Sequence, residues 1–126
     1  MVTDSEAVAG IWRDIRDVRR LAGGDGAVWR ISVKPSDAPM VVDALPEAAF
    51  QLDWGGGLLW VRLDARVDVR AALAGIAGHA TLVRAPLERL DLGAIFPPQP
   101  TPLAALAEGL RARFDPRGIL NPGLMS

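Results

Sequence analysis

Cysteine is absent from this 126-residue sequence, and histidine occurs only once, as His79. The absence of cysteine excludes disulfides, thiolate metal sites, iron–sulfur ligation and cysteine nucleophiles. Zinc and non-haem iron centres usually take two or three histidines, so we predict no metal site. No serine on a strand-to-helix elbow accompanies His79, and no two carboxylates stand at a recognisable catalytic spacing. We therefore predict no catalytic residue. His79 is expected to be structural or solvent-exposed, the alternative being a proton-handling or substrate-contacting role.

An excess of charge of either sign is also missing. Lys and Arg total 14 against 15 Asp and Glu, which gives a formal net charge of −1. A nucleic-acid-binding domain usually carries a basic patch, so this balance argues against such a partner. No apolar run approaches the roughly 20 residues of a membrane span. The acidic start of the chain differs from the basic region of a secretory signal, so we expect a cytoplasmic protein.

Apolar residues are plentiful, at 50% of the chain, and suffice for the core of one domain. The first of them recur at helical spacing and predict an N-terminal helix. They are Val8, Ile11, Trp12, Ile15 and Val18. The charged residues between them form either a solvated face or a basic docking face. The glycine-rich segment 23–26 predicts the turn that ends this helix.

The next part of the chain alternates between two kinds of pattern. Period-two alternation predicts strands at 27–34, 50–54, 58–63 and 79–84, and helical spacing predicts helices at 36–45 and 67–77. Ser36 is the expected N-cap of the first of these helices, and Gly78 is expected to end the second. Three glycines at 55–57 join the middle strands. They indicate a hairpin turn rather than a phosphate loop, because no Lys-Ser/Thr and no helix follow them.

The order strand, helix, strand, strand, helix, strand predicts an α+β fold. It is the ferredoxin-like βαββαβ arrangement, an antiparallel sheet with both helices on one face. A helix precedes this unit, and a helix and tail follow it. The other face of the sheet has no local cover in this arrangement. We interpret it as a contact surface, the alternative being an ordinary solvated face. It would carry Arg30, Ser32, Gln51, Asp53, Leu58, Trp60 and Arg62, with either His79 or Arg84 from the last strand.

RNA-recognition modules share this order of elements. The third strand has one aromatic ring, Trp60, but it lacks a leading basic residue and has Leu58 where a second stacking ring would stand. With the near-neutral net charge, this predicts no nucleic-acid partner.

The last third of the chain changes character. Residues Ile95–Pro100 predict an extended, polyproline-like connector. Thr101 and Pro102 are typical of a helix start, with Thr101 as the N-cap. An apolar stripe follows at Leu103, Leu106, Leu110 and Phe114, and Asp115-Pro116 ends the predicted helix.

Motifs in the tail and the sheet resemble a known family. The segment FDPRGILNPG at 114–123 resembles the C-terminal signature of FAD-linked oxidases of the vanillyl-alcohol-oxidase/PCMH superfamily. Four further stretches resemble the FAD-binding E subunit of bacterial glycolate oxidase. They are WRDIRD at 12–17, WRISV at 29–33, DWGGGLLW at 53–60 and GHATL at 78–82. Together they cover nearly the whole chain.

The resemblance implies a position for the chain within a larger enzyme. Residues 1–126 would be the single C-terminal cap, or substrate, domain, without the N-terminal domain that binds FAD through glycine-rich loops. The cap sheet of the family lies over the flavin ring, which would make the uncovered face a wall of the active site. The candidates for substrate or interface contacts are then Arg30, Trp60, Arg62, His79 and Arg84. The resemblance also places Asn121, Pro122 and Gly123 near the cofactor.

The function implied is FAD-dependent oxidation of glycolate or a similar 2-hydroxy acid by the complete complex. An FAD-binding domain and sister subunits would be its partners, and the complex would lie in the cytoplasm or associate with the membrane. We expect the isolated chain to be inactive and to bind FAD weakly or not at all. The alternative is a free-standing ferredoxin-like module that forms a homodimer, or binds a small molecule, through the open sheet face.

Overall fold

The computed structural model describes residues 4–91 and 95–122, with Arg89 described by its main chain alone. In chain order the helices and strands are α1 (Ser5–Arg16), α2 (Arg19–Ala22), β1 (Ala27–Val33), α3 (Ala38–Ala44), β2 (Ala49–Asp53), β3 (Leu58–Leu63), α4 (Val69–Ala72), β4 (Gly78–Arg84) and α5 (Thr101–Phe114).

The four strands form one sheet in the order β2-β3-β1-β4. β1 pairs with both β3 and β4, and β2 pairs with β3, always antiparallel. The chain passes from β1 to β2 through α3, and from β3 to β4 through α4. This strand order with two helical crossovers is that of the ferredoxin-like βαββαβ arrangement, so the predicted fold class is confirmed.

The core lies between one face of the sheet and the helices α3 and α4. Alternate residues of the central strands point into it, because successive side chains of a strand point to opposite faces. The most fully buried side chains are Ile31, Val41, Leu59, Val61 and Val69. Three of these come from β1 and β3, one from α3 and one from α4. Both crossover helices therefore pack on the same face, as the sequence predicted.

The second crossover helix is shorter than predicted. α4 runs only from Val69 to Ala72, where the apolar spacing predicted 67–77. Its N-cap is Asp68, whose carboxylate accepts the N–H of Ala71 at 3.0 Å. The chain then turns through Gly75, which has φ +94°. Gly78 is the first residue of β4 and does not end the helix.

Two predicted N-caps are each one residue away from the observed N-caps, which are Asp37 for α3 and Pro100 for α5. Ser36 lies in a 3₁₀ turn, Pro35–Asp37, and α3 begins after it at Ala38. Thr101 is the first residue of α5, and its N-cap is Pro100. A polar residue of this kind predicts that a helix begins nearby. The first helical residue depends on whether the residues at the start form a turn instead of the helix.

The predicted hairpin turn joins β2 and β3. Gly55 and Gly56 have φ values of +61° and +95°, as a tight turn requires. Trp54 was predicted to end the strand, but it opens the turn with φ +52° and is 79% exposed.

α2 and the C-terminal end of α1 lie against the sheet face opposite the core. Val18 and Leu21 are buried, and Val28 on β1 is only 6% exposed on that face. The side-chain amide of Gln51 on β2 donates to the main-chain carbonyl of Ile15 at 3.0 Å. The expectation that this face has no local cover is therefore wrong for the part beneath residues 15–23. Apolar spacing predicted the helix but carried no information about which sheet face it would contact.

The corner between α1 and α2 is at Val18, which has φ +50°. This left-handed conformation is rare for a β-branched residue. The N–H of Leu21 donates to the carbonyl of Val18 at 2.9 Å, which closes the turn. The corner ends α1 and directs α2 to the sheet. Ile11 and Trp12, which share the helical apolar spacing with Val18, are 50% and 66% exposed.

α5 follows the predicted boundaries, but its apolar stripe does not pack on the described part of the chain. Leu103, Leu106, Leu110 and Phe114 are between 56% and 78% exposed. Within residues 4–91 and 95–122, no helix combines the length and the apolar character needed to cross a bilayer.

Candidate functional site

The sheet register brings predicted candidates together on the face opposite the core. Arg30 on β1 lies beside Trp60 on β3 and Thr81 on β4. Ser32 lies opposite His79, and Gln51 lies opposite Trp60. Directly opposed residues of antiparallel strands have Cβ atoms about 5 Å apart, so these side chains are neighbours. We refer to Arg30, Ser32, Gln51, Trp60, His79 and Thr81 as the open-face cluster.

A bulge in β4 decides which of its side chains join this face. Strict alternation would place His79 and Arg84 on opposite faces, so the sequence predicts that only one of them lies on the open face. Leu82 pairs with Trp29, but Val28 pairs with Arg84 instead of with the residue before it. The extra residue shifts the alternation by one. His79 and Arg84 therefore both lie on the open face.

Two of the five predicted contact residues hold the N-terminal segment. Arg62 donates from Nη1 to the carbonyl of Gly23, and Arg84 donates from Nη1 to the carbonyl of Ala22. These carbonyls lie at the end of α2, where helix carbonyls have no partner within the helix. The geometry of Arg62 and Arg84 therefore favours anchoring of α2 to the sheet over contact with a substrate.

Arg30, Trp60 and His79 make no anchoring contact of this kind among the described residues, and their contact with another molecule stays a prediction. Arg30 and His79 are exposed, and Trp60 is half-buried. The ion pairs found among the described residues lie at α1, at α2 and after β3, and they do not include Arg30. A guanidinium beside an indole ring can pair with a carboxylate while the ring offers a flat apolar surface.

A groove of about 260 Å³ runs between the α1–α2 corner and the sheet. Trp60, Val28 and Arg84 line its sheet side, and Val18 and Leu21 line its helical side. Trp60 thus belongs both to this groove and to the open-face cluster. A larger depression of about 470 Å³ lies beside α3 and the β2–β3 turn, and it contains none of the predicted site residues.

The tail folds around the carboxylate of Asp115. Its two oxygens accept the N–H groups of Leu120 at 2.8 Å and of Ile119 at 3.0 Å. These hydrogen bonds lower the pKa of Asp115 from its ordinary value, because N–H donors stabilise the charged form. The loop itself lies at the surface, with Ile119 and Leu120 more than half exposed, while it covers the Asp115 side chain. Gly118 takes φ +62° in this loop, a conformation that favours glycine.

The three residues predicted to lie near the cofactor follow this loop. Asn121 has φ +47°, and Asn121 and Pro122 are both exposed. Gly123 lies outside the described residues. Their proximity to a cofactor stays a prediction.

The described residues do not form a cradle for the phosphates of FAD. Gly55–Gly57 form a hairpin turn beside Pro35 and Ala38, not the start of a helix. The start of α5 has prolines at 100 and 102, which carry no N–H to donate. In the same described ranges, no group of three His, Cys, Asp or Glu side chains is placed to hold a metal. The side chain of Trp60 could contact a flat ring, but the described residues do not form a site that could hold a dinucleotide.

One residue with several long-range contacts was missed by the sequence reasoning. Arg70 on α4 donates to the main-chain carbonyls of Ala80 and Ile95. Its acceptors are backbone atoms 10 and 25 residues away, so no side-chain pattern in the sequence could identify them.

Comparison with known proteins adds a relative. The chain is 37% identical over 123 residues to glycolate oxidase subunit GlcE of Escherichia coli (strain K12). The predicted resemblance is confirmed. The match includes 95% of this chain and 32% of GlcE, so the chain spans about a third of that subunit's length. No family model matches the sequence, and no solved structure matches it.

The similarity to GlcE extends over most of the features described above. Because 95% of the chain is included, nearly all of the sheet, the α1–α2 segment and the tail lie within one matched region. The open-face cluster and the Asp115 loop are therefore to be interpreted together, as parts of one related unit.

Proposed function

We propose that this chain is the C-terminal cap domain of an FAD-linked glycolate oxidase subunit. In the complete complex, with an FAD-binding domain and sister subunits, it would serve the oxidation of glycolate or a similar 2-hydroxy acid. The observation that carries this proposal is the 37% identity to GlcE over 95% of the chain. The four-stranded sheet and the Asp115 loop support it, since the family resemblance implies a cap sheet and this tail signature.

The role proposed for this chain is to bind and orient the acid. Arg30 is exposed on the open face, and its guanidinium suits two parallel hydrogen bonds to a carboxylate. Trp60, next to it on β3, would exclude water from one side of the bound acid. Ser32 and His79 lie opposite each other one pair further along and can hydrogen-bond to a hydroxyl group. FAD, when bound by the complete subunit, supplies the redox chemistry.

The exposed stripe of α5 is the surface that we propose for docking on the rest of the subunit. Four large apolar side chains on one helix face are more than half exposed, and Ile119 and Leu120 in the tail add to them. Contiguous apolar surface of this kind usually marks an interface. An FAD-binding domain seated there would also bring Asn121 and Pro122 towards the cofactor.

A chimeric subunit tests the proposal. The part of E. coli GlcE that matches this chain is replaced by this chain, in cells that lack their own GlcE. Glycolate-dependent reduction of an artificial electron acceptor is then measured. We expect activity above that of a GlcE from which the matched part is deleted. A chimera that assembles with its partner subunits and binds FAD, yet does not oxidise glycolate, contradicts the proposal.

The role of Arg30 is tested in the same chimera. Loss of a charge-assisted hydrogen-bonding pair by Arg30→Met should raise the KM for glycolate about tenfold to a hundredfold. Arg20→Met, at an exposed position on α2, is the matched control and should leave the KM unchanged. An unchanged KM in both variants would remove Arg30 from the proposed site.

The isolated chain provides a second measurement. We expect titration with FAD to give weak binding or none, because the described residues form no phosphate cradle. The alternative function, a free-standing module that dimerises through the open sheet face, depends on the exposed Arg30 and half-buried Trp60. Sedimentation of the wild type and of Trp60→Ala distinguishes the two. A stable dimer that Trp60→Ala dissociates favours the alternative.

A further inference from the structure

Arg70 joins three separate parts of the chain. From α4, its Nε and Nη2 donate to the carbonyl of Ala80 on β4 at 3.2 and 3.1 Å. The same Nη2 donates to the carbonyl of Ile95 at 2.9 Å. Ile95 is the first residue of the connector, the segment Ile95–Pro100 that leads to α5. One planar guanidinium thus holds a helix, the edge of the sheet and the connector together.

The carbonyl of Ile95 is held by two donors. It also accepts the N–H of Leu82 on β4, at 2.9 Å. β4 is an edge strand, so this contact covers part of an edge whose N–H groups would otherwise face solvent. A single main-chain hydrogen bond at a sheet edge opens readily, whereas a second, charged donor on the same oxygen stabilises the closed arrangement.

Arg70 also lies over the ring of Trp29. Its Cζ atom is 5.1 Å from the ring centroid, within the range of a cation–π contact. The indole N–H of Trp29 is buried and has no hydrogen-bond partner among the described residues. Partial burial lowers the pKa of Arg70 from its ordinary value, although an arginine remains charged in proteins. The ring packing and the two carbonyls therefore fix the guanidinium in one orientation.

The connector carries this constraint to α5. It contains prolines at 97, 98 and 100, and proline-rich segments adopt a stiff, extended conformation. Pro100 has φ −54° and ψ 140°, close to polyproline II, and α5 begins at the next residue. α5 has no buried residue, so packing does not fix its position within the described part of the chain. Its position depends on where the connector is held.

We propose that Arg70 is a positioning residue, which fixes the connector at Ile95 and thereby sets the position of α5 relative to the sheet. The open-face cluster and the apolar stripe of α5 would then face their partner in a fixed relation. The consequence for glycolate oxidation rests on the proposed function, but the positioning itself is a property of this chain.

Amide hydrogen exchange on the 126-residue chain tests the contact directly. Arg70→Met keeps an unbranched apolar stem over Trp29 and removes every donor. The amide of Leu82 should then exchange about tenfold faster, the factor that corresponds to one charge-assisted hydrogen bond. Arg66→Met is the matched control, because Arg66 lies four residues earlier and pairs with Asp64 at the surface. It should leave the exchange of Leu82 unchanged.

A distance measurement tests the consequence for α5. The chain has no cysteine, so spin labels can be placed at Glu47→Cys and Glu108→Cys, two exposed positions before β2 and on α5. We expect the distance distribution to broaden in Arg70→Met and to keep its wild-type width in Arg66→Met. Arg70→Lys, which retains the charge and one set of donors without the planar fork, should give an intermediate width and serves if Arg70→Met does not fold.

The outcomes separate this proposal from the proposed function. If Arg70→Met changes neither the exchange rate of the Leu82 amide nor the distance distribution, the positioning role is overturned, whether or not the chimera oxidises glycolate. Broadening in the isolated chain, with an inactive wild-type chimera, supports the positioning role and contradicts only the proposed function. In an active chimera, Arg70→Met should lower subunit assembly or kcat, and Arg66→Met should lower neither. An active chimera that tolerates Arg70→Met at full assembly and kcat would overturn the functional consequence.

Discussion

Gly78 is the position at which one added methyl group should perturb the open face most directly. It begins β4 and pairs with Val33 at the end of β1, next to the pair of Ser32 and His79. A Cβ at Gly78 would meet the main-chain oxygen of Ser32, and it would lie 2.7 Å from Cγ1 of Val33. The valine side chain can rotate away. The oxygen belongs to a strand that is paired on both sides, so it moves only if β1 and β4 separate.

The magnitude follows from two opposing effects. Overpacking of this kind costs about 1–3 kcal/mol. Replacement of glycine by alanine in a strand recovers about 0.5–1 kcal/mol of conformational entropy. The clash is with a main-chain oxygen, which places the steric cost in the upper part of its range, so Gly78→Ala should lower the free energy of unfolding by about 1–2 kcal/mol. For a chain of this size, this corresponds to a Tm decrease of roughly 4–8 °C.

Urea unfolding followed by tryptophan fluorescence measures this change, with the buried Trp29 as reporter. Gly109→Ala is the matched control, because a Cβ at Gly109, inside α5, meets nothing within 4 Å. It should increase helix content and not destabilise the chain, since alanine favours a helix by about 1 kcal/mol over glycine. If Gly78→Ala is as stable as the wild type and the amide resonance of Ser32 does not shift, the steric reasoning is wrong.

Three further variants test the anchor, the core and the tail. Arg84→Met should increase protease cleavage between α1 and β1 severalfold, because α2 loses a donor to its last carbonyl, whereas Arg113→Met should not. Leu59→Ala, at a fully buried position, should lower the free energy of unfolding by about 3 kcal/mol in urea titrations. The lowered pKa of Asp115 means that the tail loop is stabilised above the ordinary carboxyl pKa and loses this stabilisation as the pH falls through the lower folded value. The protection factor of the Leu120 amide, which is the intrinsic exchange rate at a given pH divided by the observed rate, should accordingly fall at acid pH in the wild type, and Asp115→Asn should abolish this pH dependence.

The sheet was predictable because its signals are local. Alternation along 27–34 and 58–63 predicts β1 and β3 and the sheet face of each of their side chains. A shift of the strand pairing by one residue would move the apolar side chains from the core to the solvent face. α4 was predicted too long because helical spacing continues past Ala72. Gly75, which has φ +94°, turns the chain there. The N-terminal helix was predicted to continue to the glycine-rich segment 23–26, because spacing reveals an amphipathic helix but not the corner at Val18 that ends α1.

The candidate site was predicted in part for the same reason. Arg30 and Trp60 follow from strand alternation alone, and the register places them side by side. The roles of Arg62 and Arg84 were not predictable, because their acceptors are main-chain carbonyls about forty and sixty residues away in sequence. Such partners leave no trace in side-chain patterns.

Taken by itself, the sequence determined the order of strands and helices, the core face of the sheet and the resemblance to a glycolate oxidase subunit. These depend on periodicity and on motifs, each of which is contained within a few consecutive residues. Only the tertiary structure decided that α2 covers part of the open face, that the β4 bulge puts His79 and Arg84 on one side, and that Arg70 holds the connector. Each of these depends on main-chain groups brought together from distant parts of the chain. Main-chain groups are chemically alike at nearly every residue, so no sequence pattern marks such contacts.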